Sequence, residues 1–563
     1  VILEKIPSLI QQAKIMSQKY DVVCTNPPYM NMGNLASSNK RFIVELFNCA
    51  KSDFYSVFIV KARDYVKDKG FFSMITPQSW MFASVYEEFR LQILKNNNIY
   101  SMLHLGTNAF EEIKGEVVNT VSFVIRKYTN INWIPLFHDL TIYNDSKTKE
   151  ENLLKHDCIF DNYRQVDFTY IPKSPIAYWI SQGIIKTFRQ KERSYKIKAG
   201  RGLQTGNDSK YVRIWHEVNV NKINLISNSG MKWFLFSKGG GFRKWYGNNE
   251  YVVDWENNGS NIKGSHEVKE INATLRNIDL YFKNSVTYTY ITSGKFSARF
   301  ADRRYIYSGA GPTVFSKNNY YLLAFLNSCV FTKCIDILKG ETMRFETGDV
   351  ESIPLYKSSL HETQIVEFSK QNIKISKTDW DSFETSWDFK KHPLLTHKQD
   401  ADTIEEAFNN WSNFAENQFN QLKANEEDIN RIFIEIYGLQ DELTPEVDDK
   451  DVTITRIYDS KEEIPESMKG NNYVLTREDV IKSFISYAVG CMFGRYSLDE
   501  EGLIYAGGDF DDKFRLRDGQ WEIKTKEGWK KSRVNIVEHN VIPIADGDYF
   551  EDGILERFVD FVK

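Results

Sequence analysis

The sequence predicts an α/β protein that begins with a doubly wound, mostly parallel sheet. Short apolar runs alternate with longer amphipathic stretches over residues 1–135, which is the pattern of strands joined by crossover helices. Residues 186–360 contain aromatic and β-branched runs separated by Gly and Asn clusters, and they predict a β-rich domain. Residues 361–563 show helical periodicity, so we expect a mainly helical, mixed C-terminal region. The polar stretch 136–185 is predicted to be a linker region.

The elements of the first domain follow from its hydrophobic pattern. Gly70 is expected to end a helix, because glycine is common just after a helix C-terminus. Pro77 is expected to end the strand that follows. The last two strands are close in the chain and allow an antiparallel closing pair. The predicted strands cover residues 21–25, 71–76, 99–105 and 119–126, and the predicted helices cover residues 40–51, 53–68 and 86–96.

Three further helices are predicted in the second half of the chain. One covers the apolar run from Tyr320 to Leu338. Residues 403–437 keep a helical period with mixed charges, and Gly438 is expected to end that helix. An apolar helix is expected at residues 478–494.

The composition excludes several classes of protein. Apolar residues make up 42% and charged residues 26% of the chain, as in ordinary soluble proteins. No apolar run approaches the roughly 20 residues of a membrane span, and no signal peptide is evident. Six cysteines without CxxC pairs favour a reducing compartment and give no metal site, so we expect a cytoplasmic protein. The chain opens at Val1 without a Met, and we expect it to be an internal piece of a longer protein.

The formal net charge of −4 hides an uneven distribution. Residues 186–350 contain 26 Lys and Arg against 14 Asp and Glu, a balance of 26 − 14 = +12, so the remainder carries −4 − 12 = −16. A basic segment between acidic flanks predicts a nucleic-acid-binding module. The alternative is a solvated basic face without a partner.

The most informative motif is Asn26-Pro27-Pro28-Tyr29, which follows the apolar run 20–25. Two prolines force the chain out of the predicted strand in a rigid, extended turn at the carboxyl edge of the sheet, where α/β proteins bind ligands. The Asn26 side chain and the Pro27 carbonyl offer two fixed acceptors, and Tyr29 offers an aromatic face. These groups suit a flat base with an amino group. The alternative is an ordinary loop after a strand.

This motif fits methylation of an exocyclic amine. Such an amine is a poor nucleophile because its lone pair is delocalised into the ring. Two acceptors that hold both amine hydrogens direct the lone pair towards a methyl donor, and this requires positioning and electrostatics without a metal. A base in duplex DNA must first flip out, which costs a few kcal/mol. Cys24 lies in the predicted strand and is expected to be a core residue.

Residues 20–127 resemble the later half of the catalytic domain of adenine-specific DNA methyltransferases, which is the second half of a Rossmann-like sheet. The resemblance is carried by residues 26–29 and by 53–58, 70–80, 106–110 and 117–125. It implies S-adenosylmethionine as methyl donor and no metal. It also implies cofactor contacts from Asn26, Asp53 and Phe58. In that family the glycine-rich cofactor loop precedes the catalytic motif, and no such loop precedes residue 20, so this chain alone is expected to bind the cofactor weakly.

The segment Gly202 to Asp208 resembles the start of the target-recognition region of large single-chain restriction methyltransferases. Two further segments, 240–248 and 293–304, interleave cations, aromatic residues and glycine, as a DNA-contacting loop does. Double-stranded DNA is therefore the expected partner. The predicted DNA contacts are Gln204, Thr205, Asn207, Arg243, Lys244, Trp245, Tyr246, Lys295, Arg299, Arg303 and Arg304.

The whole chain resembles the PglX-type adenine-specific methyltransferases of bacteriophage exclusion (BREX) systems, most clearly at residues 422–447 and 486–497. This resemblance implies site-specific adenine methylation of DNA in phage defence, with other defence proteins as possible partners. Two alternatives stay open. One is a DNA-recognition or assembly subunit without catalysis, and the other is a protein-glutamine methyltransferase that uses the same motif.

Overall fold

The computed structural model describes residues 2–110, 118–190, 192, 194–225, 230–340, 342–507, 509–537, 539–545, 550 and 552–563. The chain forms two compact units. Unit 1 comprises Val1–Glu192 and Asp336–Thr342, and unit 2 comprises Arg193–Ile335 and Met343–Lys563. The predicted boundary at residue 360 therefore falls inside unit 2.

Unit 1 contains a six-stranded sheet in the order β1-β2-β4-β3-β5-β6. The pairs β1–β2 and β3–β5 are parallel, whereas β4 runs antiparallel to both of its neighbours. The predicted antiparallel closing pair is confirmed. The strands are β1 (Tyr20–Thr25), β2 (Val66–Pro77), β3 (Asn98–Gly106), β4 (Thr120–Arg126), β5 (Leu136–Asp139) and β6 (Ile159–Phe160). Val117, predicted at the start of the closing strands, lies outside the described residues.

The helix predicted at 86–96 is confirmed, but the ends of the other two differ. The helix predicted at 40–51 is Ser37–Leu46, and the helix predicted at 53–68 is Phe54–Tyr65. That helix ends at Tyr65, and Gly70 lies inside β2 instead of capping a helix. A Cβ atom at Gly70 would lie 2.7 Å from the Asp21 carbonyl oxygen, so the glycine permits close approach of β1. The helices are α1 (Ile2–Ser17), α2 (Ser37–Leu46), α3 (Phe54–Tyr65), α4 (Glu87–Asn96), α5 (Ser146–Leu154) and α6 (Gln182–Arg189).

Residues 136–185 are part of the sheet unit and not a linker. They supply β5, α5 and β6, and their aromatic side chains Phe137, Phe168 and Tyr178 are fully buried. Phe137 stacks on Tyr178 with ring centroids 4.8 Å apart. The weak hydrophobic pattern of this segment reflects its short strands and turns, since a few large aromatic residues provide most of its packing.

β1 is less buried than its sequence predicts. It pairs only with β2 among the described strands, and its Val22 side chain is 59% exposed. Cys24 is exposed as well, which corrects its assignment to the core. The Asn26–Tyr29 motif therefore follows an edge strand.

Unit 2 contains several small sheets. A five-stranded sheet follows the order β10-β11-β12-β9, with β15 paired to β11, and a four-stranded sheet follows the order β14-β13-β16-β8. The remaining strands form the pairs β17–β7 and β18–β19 and the three-stranded sheet β20-β21-β22. The strands are β7 (Ser194–Tyr195), β8 (Lys198–Gly200), β9 (Val212–Ile214), β10 (Ile223–Asn224), β11 (Trp233–Ser237), β12 (Tyr251–Asp254), β13 (Ser285–Tyr288), β14 (Ala298–Ala301), β15 (Tyr305–Tyr307), β16 (Thr313–Phe315), β17 (Leu355–Tyr356), β18 (Arg456–Tyr458), β19 (Val474–Thr476), β20 (Phe514–Arg517), β21 (Gln520–Thr525) and β22 (Gly528–Lys531).

The longest helix, at residues 404–437, has the predicted ends. Thr403 and Glu406 form a reciprocal capping box at its start, and Gly438 ends it with a left-handed φ of +67°. The predicted helix 320–338 is instead two helices bent by 68°. The helices are α7 (Asp208–Tyr211), α8 (Glu256–Glu267), α9 (Asn319–Leu326), α10 (Cys329–Lys339), α11 (Thr347–Ser352), α12 (Glu362–Trp380), α13 (Pro393–Thr396), α14 (Ile404–Tyr437), α15 (Arg477–Met492) and α16 (Ile554–Val562).

No single described helix has the length and apolar character of a membrane span, although the bent pair α9 and α10 passes that test jointly. No group of three or more His, Cys, Asp or Glu side chains within the described ranges could hold a metal ion.

Candidate active site and predicted DNA contacts

Polar residues line the carboxyl edge of the sheet in unit 1. Asn26 follows β1, Gln78 follows β2, His104 lies near the end of β3, and Asp139 ends β5. Because β1, β2, β3 and β5 run in the same direction, these ends meet at one edge of the sheet. This is the edge at which α/β proteins bind ligands.

The Asn-Pro-Pro-Tyr corner presents open acceptors there. Pro27 is buried, whereas Asn26 and Pro28 are exposed. Within the part of the chain that the structure describes, no donor is bonded to the Asn26 side-chain oxygen or to the Pro27 carbonyl. The two prolines lack N–H groups, so nothing in the motif itself competes for these oxygens. The corner can accept two hydrogen bonds from a ligand.

Tyr29 is held in place at both ends of its side chain. Its hydroxyl donates to the Ile75 carbonyl of β2 at 3.1 Å, and its ring meets Tyr55 edge-on with centroids 6.4 Å apart. Partial burial raises the pKa of Tyr29, so the phenol stays neutral. The ring remains 38% exposed. It therefore forms a fixed aromatic face beside the acceptors.

Asp53 links the loop that follows β1 to the start of α3. Its side-chain oxygen accepts from the backbone N–H groups of Met30 at 3.1 Å and Tyr55 at 3.3 Å. The Phe54 N–H in turn donates to the Met30 carbonyl at 2.9 Å. Asp53 was predicted to contact the cofactor. The structure gives it a role as N-cap and loop clamp, which the sequence alone did not predict.

Phe58 lines a pocket of about 740 Å³ that adjoins the end of β1. The pocket is walled by apolar residues of β1, β2, α2 and α3, and Phe58 meets Phe54 edge-on with centroids 5.2 Å apart. Its polar lining groups belong to Thr25, Asn39, Lys61 and Tyr65, and no described carboxylate is among them. These walls fit the apolar surface of S-adenosylmethionine. They supply few partners for its ribose and amino-acid groups.

Sequence reasoning missed a buried network at the same edge. The His104 Nε2–H donates to the Gln78 side-chain oxygen at 2.7 Å, and the Tyr178 hydroxyl donates to Nδ1 at 2.7 Å. Burial lowers the pKa of His104 to about 4, so the ring is neutral. The half-exposed Trp179 stacks on it with centroids 6.4 Å apart. A histidine within an apolar strand was the signal that could have revealed this network.

The structure places most of the predicted DNA contacts inside unit 2. Arg243 is 4% exposed, and its guanidinium donates to the Asp379 carboxylate at 2.7 Å and to the Tyr246 carbonyl at 2.8 Å. Arg299 is 1% exposed and donates to the Arg243 carbonyl at 3.1 Å. Burial lowers the pKa of Arg299 to about 10. In this structure these two cations bind protein groups and do not face solvent.

Lys244 and its neighbours are buried in the same way. The Lys244 ammonium is paired with the Glu426 carboxylate, which also accepts from the Trp245 indole N–H at 2.6 Å. Tyr246 is also buried. A buried lysine needs such a partner, because an unpaired charge in the interior is strongly destabilising. Residues 243–247 of the predicted DNA-contacting loop are therefore interior and join distant parts of unit 2, whereas Gly240 and Gly241 are exposed.

Some of the remaining predicted DNA contacts are bonded to other protein groups, and the others are exposed. Thr205 is buried and bonds to Asp208, Lys295 is paired with Asp451, and Arg304 is bound to Asp302. The exposed polar residues that stay available as DNA contacts are Gln204, Asn207 and Arg303.

The basic segment is balanced by the acidic C-terminal region. Arg243, Lys244 and Lys295 pair with Asp379, Glu426 and Asp451 respectively. Each acidic partner lies more than 130 positions later in the chain. Part of the charge asymmetry in the sequence thus reflects pairing within unit 2. The positive balance of residues 186–350 is therefore only partly available for binding DNA.

Comparison with known proteins finds similar methyltransferases. Residues 4–110 match the model of the Eco57I restriction-modification methylase family. The chain is 37% identical over 580 aligned residues to the adenine-specific methyltransferase PglX of Lacticaseibacillus casei (strain Zhang), covering 99% of this chain and 45% of that protein. It is 35% identical to the adenine-specific methyltransferase BrxX of Escherichia coli O9:H4 (strain HS), covering 98% and 44% respectively.

The chain thus spans a little under half the length of the curated relatives that it matches. Among solved structures, it is similar to the Type IIL restriction-modification enzyme MmeI in complex with DNA. That similarity has a TM-score of 0.44 at 12% identity and covers 75% of this chain and 55% of the other.

Proposed function

Because the chain resembles the adenine-specific methyltransferases PglX and BrxX over nearly its whole length, we propose that it carries the amine-binding corner and the DNA-recognition part of a site-specific adenine DNA methyltransferase. The proposed setting is phage defence in the cytoplasm, with other defence proteins as partners. The observation that carries the proposal is the pair of unoccupied acceptors, Asn26 and Pro27, beside the fixed ring of Tyr29.

The residues of the corner position a flipped adenine. The Asn26 side-chain oxygen and the Pro27 carbonyl accept the two hydrogens of the exocyclic amine, so that its lone pair points away from the base plane. The base stacks on Tyr29, which offsets part of the cost of leaving the duplex. The N–CH₃ bond would form as the S–CH₃ bond of the methyl sulfonium breaks, which leaves a neutral thioether, and the methylated nitrogen would then release one proton to solvent. The acceptors stabilise the positive charge that develops on the amine.

S-adenosylmethionine supplies an electrophilic methyl group when it is bound. The apolar pocket beside β1, with Phe58 in its wall, would hold the apolar part of this cofactor. Asp53 acts in this proposal as a positioning residue, since its carboxylate fixes the loop that follows Tyr29.

Two other functions give different experimental results. A DNA-recognition or assembly subunit would bind DNA and transfer no methyl group. A protein-glutamine methyltransferase would methylate protein and leave DNA unmodified. The match of residues 4–110 to a restriction-modification methylase family favours DNA as the acceptor.

The test is an Asn26→Ala substitution in the full protein with tritiated S-adenosylmethionine. Loss of one acceptor at the reacting amine is expected to lower kcat by about 100-fold or more, by analogy with the loss of one oxyanion-hole donor. DNA affinity is expected to change little, because in this proposal Asn26 contacts no phosphate of the DNA backbone.

Asn48→Ala is the matched control, since Asn48 is exposed in the same unit and bonds only to Lys51 among the described residues. It should methylate DNA like the parent protein. Unchanged methylation by Asn26→Ala would rule out the proposed corner. Label in protein instead of DNA would favour the glutamine alternative.

A further inference from the structure

The three-stranded sheet β20-β21-β22 has two chemically different faces. Asp518 and Gly519 both have positive φ, which is typical of a two-residue hairpin turn. This turn fixes the register, in which Arg515 pairs with Glu522 and Lys524 pairs with Trp529. Because side chains alternate along a strand and cross-strand partners share a face, the register assigns every side chain to one face.

The inner face packs into unit 2. Phe514 and Ile523 are completely buried and pack with Ile536, Phe510 and Trp521. This face anchors the sheet, so the opposite side is presented on a fixed support.

The outer face carries an excess of positive charge. Five cations and one carboxylate, Glu522, share it. Trp529 lies among them, with the Arg515 guanidinium 4.2 Å and the Lys524 ammonium 5.9 Å from its ring centroid. We call this surface the cationic face. Its cations are Lys513, Arg515, Arg517, Lys524 and Lys531.

Most of this charge is not neutralised by the protein. Arg515 is paired with Glu522 at 2.6 Å, and Arg517 lies 3.9 Å from Asp518. Lys513, Lys524 and Lys531 are exposed, and no carboxylate of the described residues forms an ion pair with them. These lysines differ from Lys244, whose charge is fully paired in the interior.

The charge of the surrounding sequence makes this face unusual. Residues 361–563 contain 25 Lys and Arg and 43 Asp and Glu, a balance of 25 − 43 = −18. A cationic face within such an acidic region attracts a polyanion to one place while its surroundings repel it. Exposed lysines on flexible stems bind phosphate as point charges and need no particular base sequence.

We propose that the cationic face binds the phosphate backbone of duplex DNA without reading its sequence. This inference rests on the proposed function, because DNA is the substrate there, and it adds a contact surface outside the predicted recognition domain. Lys513 precedes β20, Lys524 lies on β21 and Lys531 on β22, and neighbouring strands are about 5 Å apart. Duplex DNA carries a charge for about every 1.7 Å of its axis. Three unpaired lysines on one small sheet can therefore contact several phosphates together.

The test compares two triple variants of the full protein that have the same total charge. The face variant is Lys513→Gln, Lys524→Gln and Lys531→Gln. The control variant is Lys469→Gln, Lys526→Gln and Lys530→Gln, whose lysines are exposed and lie near Glu466, Glu500 and Glu527 respectively. Lys530 is on the opposite face of the same sheet.

Binding of each protein to a fluorescein-labelled duplex of unrelated sequence is measured at 50–200 mM salt. Loss of three phosphate contacts should make the negative slope of log K against log salt shallower by about 2.7, since each contact contributes about −0.9. The control should keep the parent slope. Equal loss in both variants would mean a general charge effect, and an unchanged salt slope in the face variant would mean that the face does not bind DNA and could bind another partner such as an acidic protein. Either result overturns the proposal.

This experiment is independent of the methylation test. If the parent protein transfers no methyl group to DNA but the face variant still weakens DNA binding, the proposed catalytic function fails and the cationic face stands. If methylation depends on Asn26 while the face variant binds DNA normally, the catalytic proposal stands and the cationic face fails.

Discussion

Two segments of unit 2 have similar sequences and opposite structural roles. Residues 240–248 and 513–531 both interleave cations, aromatic residues and glycine. In the first segment Arg243 and Lys244 are buried against Asp379 and Glu426. In the second segment Lys513, Lys524 and Lys531 project from an anchored sheet and form no ion pair with a described carboxylate. A cation-rich motif therefore predicts a DNA contact only when no carboxylate elsewhere in the fold is placed to neutralise it.

The largest effect is expected from breaking the buried ion pair. Glu426→Ala leaves the Lys244 ammonium and the Trp245 indole N–H without an acceptor in the interior. Removing one partner of a buried pair costs about 3–5 kcal/mol. Urea unfolding of the variant should show this loss in the free energy of unfolding. Glu435→Ala, an exposed change on the same helix α14, should cost less than about 0.5 kcal/mol.

If Glu426→Ala were as mild as this control, the buried pair would not be the reason for the interior position of the segment. The double change Lys244→Met with Glu426→Met sharpens the comparison. It should recover part of the stability lost in Glu426→Ala, because no unpaired charge remains inside.

A smaller effect is expected from a buried base that has no acidic partner. Burial lowers the pKa of His392 to about 3, and its Nε2–H donates to the Ser483 hydroxyl at 3.0 Å. The unfolded chain binds a proton near pH 6.5, whereas the folded protein does not until about pH 3. Stability is therefore complete above pH 6.5 and falls as the pH decreases through this range. At pH 5 the loss amounts to about 2 kcal/mol.

The measurement is urea unfolding at pH 7.5 and pH 5.0 for the parent protein and for His392→Gln. The difference between the two pH values should shrink by about 2 kcal/mol in the variant. His266→Gln, at an exposed histidine, serves as the control. An equal pH dependence in all three proteins would contradict a neutral, buried His392.

The smallest effects are expected when the exposed lysines are tested by urea unfolding and the buried Lys244 by DNA binding. The triple change at Lys513, Lys524 and Lys531 should alter the free energy of unfolding by no more than about 0.5 kcal/mol, because these side chains are exposed. The double change at Lys244 and Glu426 should leave the salt slope of DNA binding unchanged. A reduced slope in the double variant would show that the interior segment contributes to DNA binding, and the distinction between the two segments would fail.

Features that depend on neighbouring residues were predictable from the sequence. The strand before Asn26, the corner formed by the two prolines, the antiparallel closing strands and the Gly438 helix end all follow from local pattern or backbone restriction. The long helix α14 is set by its own period and caps. The role of Asn26 itself stays a prediction, although its open acceptor agrees with that role.

Features that depend on distant partners were not predictable in the same way. The burial of Lys244 depends on Glu426, 182 residues later in the chain. The position of Gly70 depends on the close approach of β1, and Asp53 acts on a loop 23 residues earlier. The strands in residues 136–185 are too short to show an alternating hydrophobic pattern, and they form because they pair with neighbouring strands of the sheet. Charge and hydrophobicity along the chain do not encode these pairings.

Under the proposed function, the clamp formed by Asp53 affects how DNA sites are distinguished. With the Met30 and Tyr55 amides already bonded to it, the corner has its binding shape before any nucleotide arrives. Little protein entropy is then lost on capture of a base. Adenines would then differ in how readily they are bound mainly because the DNA duplex around them differs. Adenines in weakly stacked base-pair steps would be favoured over those in stiff steps.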